Sequence, residues 1–381
     1  MVVSRRKLLV AGGVSAVVIS AGGWIALSPP WLAKASAPWL AAGKNFADPR
    51  LAALSYAILA PNPHNRQPWQ FALVGADTID ILCDLERRLP ATDPFDRQIV
   101  IGFGCMIELL RQAAAELGFS AEMTAFPDGE DAPRLSGGRI AQVRLVPNRP
   151  ARDPLFGRIR DRRSTKEPFR DRPVPDAEID GLRAALRGGV GFGHARNEAE
   201  HAALTALAWR AWRIEQETPA TRRESIDLMR FGNAAIVAQP DGIDMGGTFL
   251  AAAHAAGIVT PTTLDTPGST AYQSGIEMYR AMAKATPAWI WLTTPGNSRA
   301  EQLAAGKAWV RLNLAAGARG LAVHPWSHAL QEFPEMTDAY RVLHDRLAPD
   351  GATVQMFARL GYGPEVPASP RWPLTAKLVD G

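Results

Sequence analysis

One loop carries the side chains of this sequence that are best suited to bind a flat polar ligand. It runs from Ala60 to Trp69 and reads Ala-Pro-Asn-Pro-His-Asn-Arg-Gln-Pro-Trp. Asn65 and Gln67 each offer a donor and an acceptor, as the edge of a heterocycle requires, and Trp69 offers a flat apolar face. The prolines at positions 61 and 63 predict a rigid, extended backbone. A Pro-rich turn between a helix and a strand is the alternative interpretation.

The loop resembles the flavin-binding loop of the nitroreductase superfamily, where Pro-Ser-x-x-Asn-x-Gln-Pro-Trp contacts the ring system of FMN. Five of the nine positions match, and Asn stands at position 62 where the family has Ser. The resemblance implies FMN as the cofactor and hydride transfer through flavin N5. The loop residues that it places in contact with the cofactor are Pro61, Asn62, His64, Asn65 and Gln67.

A basic segment in the middle of the chain provides groups suited to the cofactor phosphate. Residues 162–166 read Arg-Arg-Ser-Thr-Lys and look like the opening segment of a nitroreductase. Guanidinium groups and a hydroxyl hold a phosphate dianion well. The resemblance assigns Arg162, Arg163 and Ser164 to the phosphate, together with Arg371, which lies in a sequence similar to the family's closing phosphate segment. A solvated run of charges is the alternative interpretation.

Two further positions bear on the redox chemistry of the ring. Negative charge develops at N1 and O2 when a flavin takes up hydride, and a nearby cation stabilises it. Lys166 occupies the family position for that contact, although an exposed surface lysine is the alternative. The family also directs a backbone N–H at N5 from a turn that matches residues 324–328, His-Pro-Trp-Ser-His. We expect Pro325 and Ser327 to contact the flavin, with Ser327 as the N–H donor.

Histidines and cysteines leave several roles open. His324 and His328 titrate near neutral pH and could donate protons, but structural hydrogen bonding is an equal alternative for both. A proline lies between them and argues against one regular helical face, so no metal site is expected. Cys83 and Cys105 form no CxxC motif and no disulfide framework.

Composition excludes few functions. The chain has 381 residues, of which 47% are hydrophobic and 21% charged, so it can bury a sizeable core as two domains or two fused copies of one. The net charge of +4 is modest and the charges of both signs are interspersed. No nucleic-acid reading module accompanies them, so nucleic-acid binding is not expected; the family resemblance implies a small-molecule substrate instead.

Residues 1–37 have the composition of a targeting segment. A Ser-Arg-Arg-Lys-Leu-Leu stretch at 4–9, followed by an uncharged run, resembles a twin-arginine export signal, whose pathway carries folded proteins. This predicts a periplasmic protein. The Ala-Lys-Ala sequence at 33–35, before Ser36, is the better cleavage candidate, because a proline follows Ala37. The uncharged run is long enough to span a bilayer, so an uncleaved anchor is the alternative.

The resemblance implies an α+β, nitroreductase-like fold with central antiparallel or mixed sheets flanked by helices, and hydrophobic periodicity places the individual elements. Helices are expected at 51–59, 104–117, 177–186, 194–228 and 301–318, and strands at 71–74, 78–83, 139–146, 289–292 and 354–360. The glycine-rich run 188–193 is expected to be a linker, since no strand precedes it. Residues 231–282 are irregular and form a candidate lid. A packed pair of helices is the alternative for them.

Five residues of the first half of the chain recur at the same spacing in the second half, which predicts that the fold is duplicated. The repeated positions, at one offset, are Gly104 and Gly306, Leu110 and Leu312, Ala113 and Ala315, Ala114 and Ala316, and Gly118 and Gly320. In ordinary nitroreductases the basic segment precedes the flavin loop, whereas here it follows. A family site takes its loop from one subunit and its basic segment from the other, so a fused pair would keep one complete site. This arrangement resembles the double-length, Acg-like branch, with repeats at 47–150 and 155–377 forming an intrachain pseudo-dimer.

These resemblances predict an exported FMN-dependent oxidoreductase that acts on a small aromatic, nitro or quinone-like substrate. Soluble NAD(P)H is not expected outside the cytoplasmic membrane. A dehydrogenase or oxidase direction, or a membrane-derived electron donor, is therefore favoured over nicotinamide-driven reduction. A flavin-sequestering protein with a closed lid is the second hypothesis, and a flavin-free interaction module that has kept only the fold is the third.

Overall fold

The structure is a computed structural model that describes residues 34–130 and 133–380. Apart from residues 34–37, the expected export signal lies outside the described residues. The described chain contains both helices and strands, arranged in two main sheets with long helices packed against them. The expected α+β class is confirmed.

The first sheet is built from the first half of the chain and its C-terminal end. Its strands are β1 (Trp69–Val74), β2 (Thr78–Cys83), β3 (Phe119–Ala125), β4 (Ala141–Pro147) and β11 (Leu378–Val379), in the order β11-β1-β2-β4-β3. Strands β1 and β2 form the expected antiparallel hairpin, with Phe71 opposite Ile81. Strand β11 pairs parallel to β1, with Leu378 beside Phe71. This pairing brings the C-terminal segment back to loop 60–69.

The second sheet belongs to the second half of the chain. Its strands are β5 (Gly191–His194), β8 (Ala288–Thr294), β9 (Ala322–Pro325) and β10 (Thr353–Gly361), in the order β5-β8-β10-β9. All of its pairings are antiparallel. The prediction of a linker at 188–193 is wrong for residues 191–193, which belong to β5. A Cβ atom on Gly193 would lie 2.2 Å from the Trp291 ring, so glycine allows this strand to pair closely with β8.

Helices flank the two sheets. They are α1 (Ala37–Ala41), α2 (Pro49–Ala57), α3 (Arg97–Glu116), α4 (Asp176–Ala184), α5 (Glu198–Glu217), α6 (Pro219–Asp227), α7 (Gly232–Ala238), α8 (Thr248–Ala255), α9 (Pro261–Asp265), α10 (Thr270–Lys284), α11 (Arg299–Ala318) and α12 (Thr337–Leu347). Helix α3 begins earlier than its periodicity predicted, because the Ile99–Phe103 stretch is buried around its whole circumference. The candidate lid, residues 231–282, contains helices α7 to α9, most of α10 and the short strand β7 (Ile243–Met245), which pairs parallel with β6 (Met229–Phe231).

Helices α3 and α11 cross at the centre of the molecule with their backbones in contact. A Cβ atom on Gly104 would lie 2.2 Å from the carbonyl oxygen of Leu303, and one on Gly306 would lie 2.0 Å from that of Ile101. The thiol of Cys105 also donates to the carbonyl oxygen of Gly306, at 3.1 Å. Gly104 and Gly306 are the first pair of repeated positions, so the two repeated helices contact each other at equivalent residues.

One hydrophobic core extends across both halves. It contains Trp69 and Phe71 of β1, Phe103 of α3, Leu292 of β8 and Leu312 of α11, all buried. A second core lies beneath α5, α10 and α12. Among residues 34–130 and 133–380, α3 is the one helix long and apolar enough to span a membrane by length and composition, and 89% of its apolar window is buried in the protein.

We expect Gly306→Ala to lower the free energy of unfolding by about 2 kcal/mol, because the added methyl group meets the α3 backbone, which cannot rotate away. The matched control is Gly317→Ala on the same helix, where a Cβ atom meets nothing within 4 Å. That change should stabilise the helix by about 0.5–1 kcal/mol. Urea denaturation of both variants measures the difference. Equal stabilities would contradict close backbone contact at the crossing.

Candidate functional site

Loop 60–69 has an unusual backbone. His64, Asn65 and Gln67 have φ values of 46°, 52° and 49°, in the left-handed region that residues other than glycine rarely occupy. Asn62 holds this shape, because its Oδ1 accepts from the backbone N–H of Gln67 at 2.7 Å and its Nδ2 donates to the carbonyl oxygen of Ala60 at 3.2 Å. Strained loop backbone of this kind clusters at ligand-binding sites. Asn62, where the family has Ser, therefore shapes the loop from within.

Gln67 has a different role from the expected ring contact. Its side chain is fully buried. Nε2 donates to the carbonyl oxygen of Pro240 at 2.8 Å, and Oε1 accepts from the backbone N–H of Trp372 at 3.0 Å. The backbone oxygen of Gln67 also accepts from Lys377 Nζ at 2.7 Å. Gln67 therefore ties the loop to the lid and to the C-terminal segment, and its amide has no free edge to offer a ligand.

Arg371 lies at the site, as expected, but its guanidinium donates its hydrogen bonds to oxygen atoms of the protein. It is 2% exposed, and its guanidinium donates to the carbonyl oxygens of Ile58 at 3.1 Å and Ala60 at 3.1 Å. A further bond reaches Asn65 Oδ1. These carbonyls follow the C-terminus of α2 and have no helical partner of their own, so Arg371 caps the helix and orients Asn65. Burial, with help from Arg162 and Arg163, holds the pKa of Arg371 well below its ordinary value.

Arg162 is a buried cation with free donors. It is 4% exposed, and Nη2 donates to the carbonyl oxygen of Leu59 at 3.3 Å. Its Nε and Nη1 have no hydrogen-bond partner among the described residues. Burial lowers its pKa to about 10, and the charge of Arg163 adds to the shift. A buried charge without a partner is costly, so this geometry favours an anion as the missing acceptor.

Three guanidinium groups surround one indole ring. The guanidinium carbons of Arg162, Arg163 and Arg371 lie 5.7, 5.0 and 5.3 Å from the ring centroid of Trp39. We call these three residues the arginine cluster. None of them forms an ion pair with a described carboxylate. The cluster is thus a concentrated positive charge whose visible partners are an aromatic face and carbonyl oxygens.

Loop 60–69 and the arginine cluster form one site. The carbonyl oxygen of Leu59, just before the loop, accepts from both Arg162 at 3.3 Å and Arg371 at 3.4 Å. Arg371 in turn bonds Asn65 within the loop. Segments from the start, the middle and the end of the chain therefore meet at one place. Pro61, His64 and Ser164 are half-buried in these segments.

Lys166 lies near the loop with a solvent-exposed side chain. Desolvation lowers its pKa, while the carboxylates of Asp244 and Glu215 oppose the shift. Burial lowers the pKa of His64 to about 4, and the charge of Lys166 contributes. Lys166 therefore faces the loop, as expected, but two carboxylates that the sequence did not reveal lie near it.

The turn at 324–328 presents backbone N–H groups and two neutral histidines. Ser327 opens a short 3₁₀ helix, Ser327–Leu330, whose first N–H groups have no partner within the helix. Pro325 precedes it, half-buried. His324 is 3% exposed and its Nδ1 accepts from Arg359 at 3.0 Å. Burial and Arg359 hold the pKa of His324 well below its ordinary value, so its role is structural.

His328 lies against a carboxyl group and aromatic rings. Its Nε2 is 3.8 Å from Glu215 Oε2, and its Nδ1 has no hydrogen-bond partner among the described residues. Its ring meets Trp326 and Tyr279 edge-on, at centroid distances of 5.3 and 6.2 Å. Burial lowers the pKa of His328 to about 3, so the imidazole is neutral at pH 7. It is not the protonated donor that its ordinary pKa predicted.

The candidate lid contacts loop 60–69 directly. The backbone N–H of Gly242 donates to the carbonyl oxygen of Asn65 at 3.3 Å. Asp241, 5% exposed, binds Arg230 at 2.8 Å and accepts from Trp372 Nε1 at 3.2 Å. Residues 239–246 therefore fix the base of the lid against the loop. Sequence patterns gave no signal for Asp244, since it lies in an irregular stretch.

Residues 35–39 fold onto the arginine cluster. Ala35 is 2% exposed, and its carbonyl oxygen accepts from the backbone N–H of Arg371 at 2.9 Å. Trp39 Nε1 donates to the carbonyl oxygen of Ser369, also at 2.9 Å. Cleavage between Ala35 and Ser36, the site favoured from sequence, would remove a residue that belongs to the fold. Peptide cleavage needs an extended, accessible chain, which this segment does not offer once folded.

No known protein-family profile matches the chain. The Mycobacterium tuberculosis H37Rv protein Rv3131, provisionally named an NAD(P)H nitroreductase, is 33% identical over 138 residues, covering 36% of this chain and 39% of that protein. The protein acg of the same strain, also provisionally named an NAD(P)H nitroreductase, is 34% identical over 79 residues, covering 21% and 24%. The chain therefore matches well under two thirds of the length of these relatives.

Solved structures of low identity also match. The FMN-dependent nitroreductase NfnB of Mycobacterium smegmatis, in complex with NADPH, is 17% identical with a TM-score of 0.35, covering 57% of this chain and 94% of that chain. A nitroreductase-like family protein of Bacillus cereus is 16% identical with a TM-score of 0.34, covering 60% and 96%. The sequence comparisons show that this chain is similar to nitroreductase-superfamily proteins over about a third of its length.

A chain that begins at Ser36 should be less stable than one that begins at Lys34. The shorter chain loses the hydrogen bond from Arg371 to Ala35, worth about 1 kcal/mol. It also places a new ammonium group in the segment that packs on three guanidinium groups. Thermal denaturation of the two purified chains compares them, with inorganic phosphate excluded from the buffer. Equal stabilities would show that Ala35 is not part of the fold.

Proposed function

We propose that this chain is an FMN-dependent oxidoreductase that binds one flavin between loop 60–69 and the arginine cluster. The observation that carries the proposal is Arg162, a buried guanidinium with two unpartnered nitrogens beside the loop. A phosphate dianion supplies the acceptors that these donors lack. The relatives named as nitroreductases support the same reading. When bound, FMN supplies a carrier of hydride at N5.

The chain's own residues divide the binding task. Arg162 and Arg163 face the phosphate, with Ser164 beside them, while Arg371 adds charge and holds Asn65 and the helix end in place. Asn65 and its neighbours Pro61 and His64 form the wall against the ring. Asn62 and Gln67 keep that wall rigid through bonds within the protein. Rigid positioning reduces the ordering cost of binding.

Two positions govern the redox properties in this proposal. Lys166, which lies near the loop, would stabilise the negative charge of a reduced flavin. Ser327, at the start of its 3₁₀ helix, would offer its backbone N–H to the flavin ring. The loop comes from the first half of the chain, and Lys166 and Ser327 come from the second. We therefore propose that the two halves form an intrachain pseudo-dimer with one complete site, and the Gly104–Gly306 crossing supports this.

We propose that the protein works outside the cytoplasmic membrane after export as a folded chain. The twin-arginine-like sequence at residues 4–9 motivates this. Because Ala35 belongs to the fold, we favour a form in which the chain is not cut at Ala35 and stays tethered by its N-terminal segment. A membrane-derived donor or an organic substrate then reduces the flavin, rather than NAD(P)H. Intact mass of the protein extracted from its host membrane tests the tether.

A flavin-sequestering role is the second candidate, favoured by the docking of the lid base on loop 60–69. In that case the lid shields the ring and no turnover occurs. Sulfite adds to N5 of an oxidised flavin only where N5 is accessible. Rapid bleaching by sulfite would therefore exclude sequestration, and a flavin that resists sulfite would favour it.

We expect Arg162→Met to raise the Kd for FMN by roughly 30- to 150-fold, equivalent to about 2–3 kcal/mol, because a charged hydrogen bond in a buried site is lost. Titration of flavin fluorescence measures this. Arg152→Met is the matched control, since its side chain is 72% exposed, and it should leave the Kd unchanged.

Arg371→Met provides a second comparison within the same experiment. It should lower thermal stability even without FMN, because the carbonyl oxygens of Ile58 and Ala60 lose their donor. Arg162→Met should not lower it, since a buried unpaired charge is removed. Unchanged FMN affinity in Arg162→Met would contradict the proposed phosphate site.

Anaerobic mixing of the FMN-loaded protein with NADPH should bleach the flavin too slowly to support turnover. The reason is the proposed compartment, which lacks soluble nicotinamide donors. Stopped-flow absorbance measures the rate, and dithionite serves as the control that the flavin is reducible. Bleaching by NADPH within the time of a normal turnover would overturn the proposed donor.

A further inference from the structure

Glu215 is a buried carboxyl group that the binding proposal does not use. It lies in the last turn of α5, with its side chain 12% exposed. Its Oε2 accepts from Gln331 Nε2 at 2.6 Å and its Oε1 from Ser225 Oγ at 3.5 Å. It forms no ion pair with a lysine or arginine among the described residues. When a buried carboxylate has mainly a neutral amide and a neutral hydroxyl as partners, these contacts do not offset the free energy that its charge loses on leaving water.

The surroundings of Glu215 favour its protonated form. Burial raises its pKa to about 7, and the carboxylate of Glu224 on α6 raises it further, while Gln331, Ser225 and Lys166 oppose the shift. The C-terminal end of α5 also presents carbonyl oxygens, which disfavour a negative charge there. Tyr279 on α10 stays neutral, since burial and Glu215 raise its pKa to about 12. Glu215 therefore exchanges its proton near neutral pH.

His328 lies between Glu215 and the loop. Its Nε2 lies 3.8 Å from Glu215 Oε2, while the opposite nitrogen, Nδ1, is buried without a described partner. His328 follows Ser327, and His64 and Lys166 both contribute to lowering its pKa, so it lies close to the loop. An imidazole with one nitrogen beside an acid and the other free has the geometry of a proton shuttle.

We propose that Glu215 and His328 form a proton relay for the substrate of this site, with His328 touching the substrate and Glu215 supplying the proton through it. The inference rests on the proposed function and names a substrate class. It is an electrophile that takes up one hydride and one proton onto oxygen, as a quinone does. In the dehydrogenase direction the same groups accept the proton from a hydroxyl of the substrate.

The step balances in atoms and charge. The substrate carbon system receives hydride from the reduced cofactor, and negative charge forms on the substrate oxygen. The Nδ1–H bond of His328 breaks as its proton moves to that oxygen. The carboxyl O–H bond of Glu215 breaks as its proton moves to Nε2 and restores a neutral imidazole. Glu215 is left as a carboxylate that water reprotonates. The relay requires the Nδ1–H tautomer before the step.

The test uses FMN-loaded protein reduced with dithionite, freed of excess reductant and mixed anaerobically with p-benzoquinone. For the native chain, the rate of flavin reoxidation should fall as pH rises through about 7, as Glu215 loses its proton. Glu215→Gln should be on the order of 100-fold slower and lose this pH dependence. Glu215→Asp should restore part of it. Glu217→Gln is the matched control, because Glu217 is on the same helix with a half-exposed side chain paired to Arg213.

A second readout does not need turnover. The pKa of Glu215 is raised by folding, so below about pH 4 it is protonated in both states and costs nothing. As pH rises from about 4.5 to about 7, the unfolded chain ionises Glu215 while the folded chain keeps it protonated, so the folded state loses stability over this range and the loss is complete above about 7. The Tm of the native chain should therefore fall relative to Glu215→Gln between pH 5 and pH 8. A constant difference across that range would overturn the buried, protonated state.

The outcomes separate the two proposals. A protein that binds no FMN refutes the proposed function. A protein that binds FMN and reduces p-benzoquinone with the same pH profile in Glu215→Gln refutes the relay and leaves the proposed function standing. A Tm shift without a change in pH profile also refutes the relay, since it assigns Glu215 a structural role.

Discussion

The site depends on how closely two central helices approach each other. Helices α3 and α11 cross where Gly104 and Gly306 meet, and neither position has room for a side chain. Helix α3 packs against the first sheet and contacts loop 60–69. Helix α11 packs against the second sheet, whose strand β9 leads into the turn at 324–328. Because both residues are glycines, the backbones of the two helices touch at this point, and this contact sets the distance between the two halves of the chain. Ion pairs of Arg311 with Glu108 and Asp153, at 2.8 and 2.6 Å, fasten the same crossing.

The proposed site has two electrostatic regions. At one end the arginine cluster is positive, is largely buried and has no ion pair with a described carboxylate, so a bound anion would stabilise it. At the other end Lys166 lies among Asp244, Glu215 and two neutral histidines, where protons can be exchanged. The first region is suited to binding and the second to chemistry.

The N-terminal segment and the candidate lid both contact the proposed site. Trp39 packs against the arginine cluster, and residues 240–242 hydrogen-bond to loop 60–69. Both contacts are made by segments that lie far from the loop in sequence. The loop itself, with three residues in the left-handed region, needs such support because its backbone is strained. Since these contacts already order the loop, a ligand that binds there does not have to supply the free energy for ordering it.

Much of the fold and part of the site could be predicted from sequence, and the reasons are local. The hairpin β1–β2 follows from alternation and a turn, and the Asn-x-Gln-Pro-Trp pattern marked the loop. Strand β3 was missed because Phe119–Ala125 is largely half-exposed and shows no clear alternation. The bracing role of Gln67 could not be predicted, since its partners Pro240 and Trp372 are distant in sequence. Glu215 gave one weak signal, an acid on the helix face that buries Trp212.

We propose above all that a single chain holds one complete flavin site. Native mass spectrometry of the protein, purified after expression with excess riboflavin and kept in volatile buffer, tests this directly. We expect a monomeric chain that carries one FMN and loses it in the Arg162→Met variant. A flavin present only in a species of two chains, or two flavins on one chain, would contradict it.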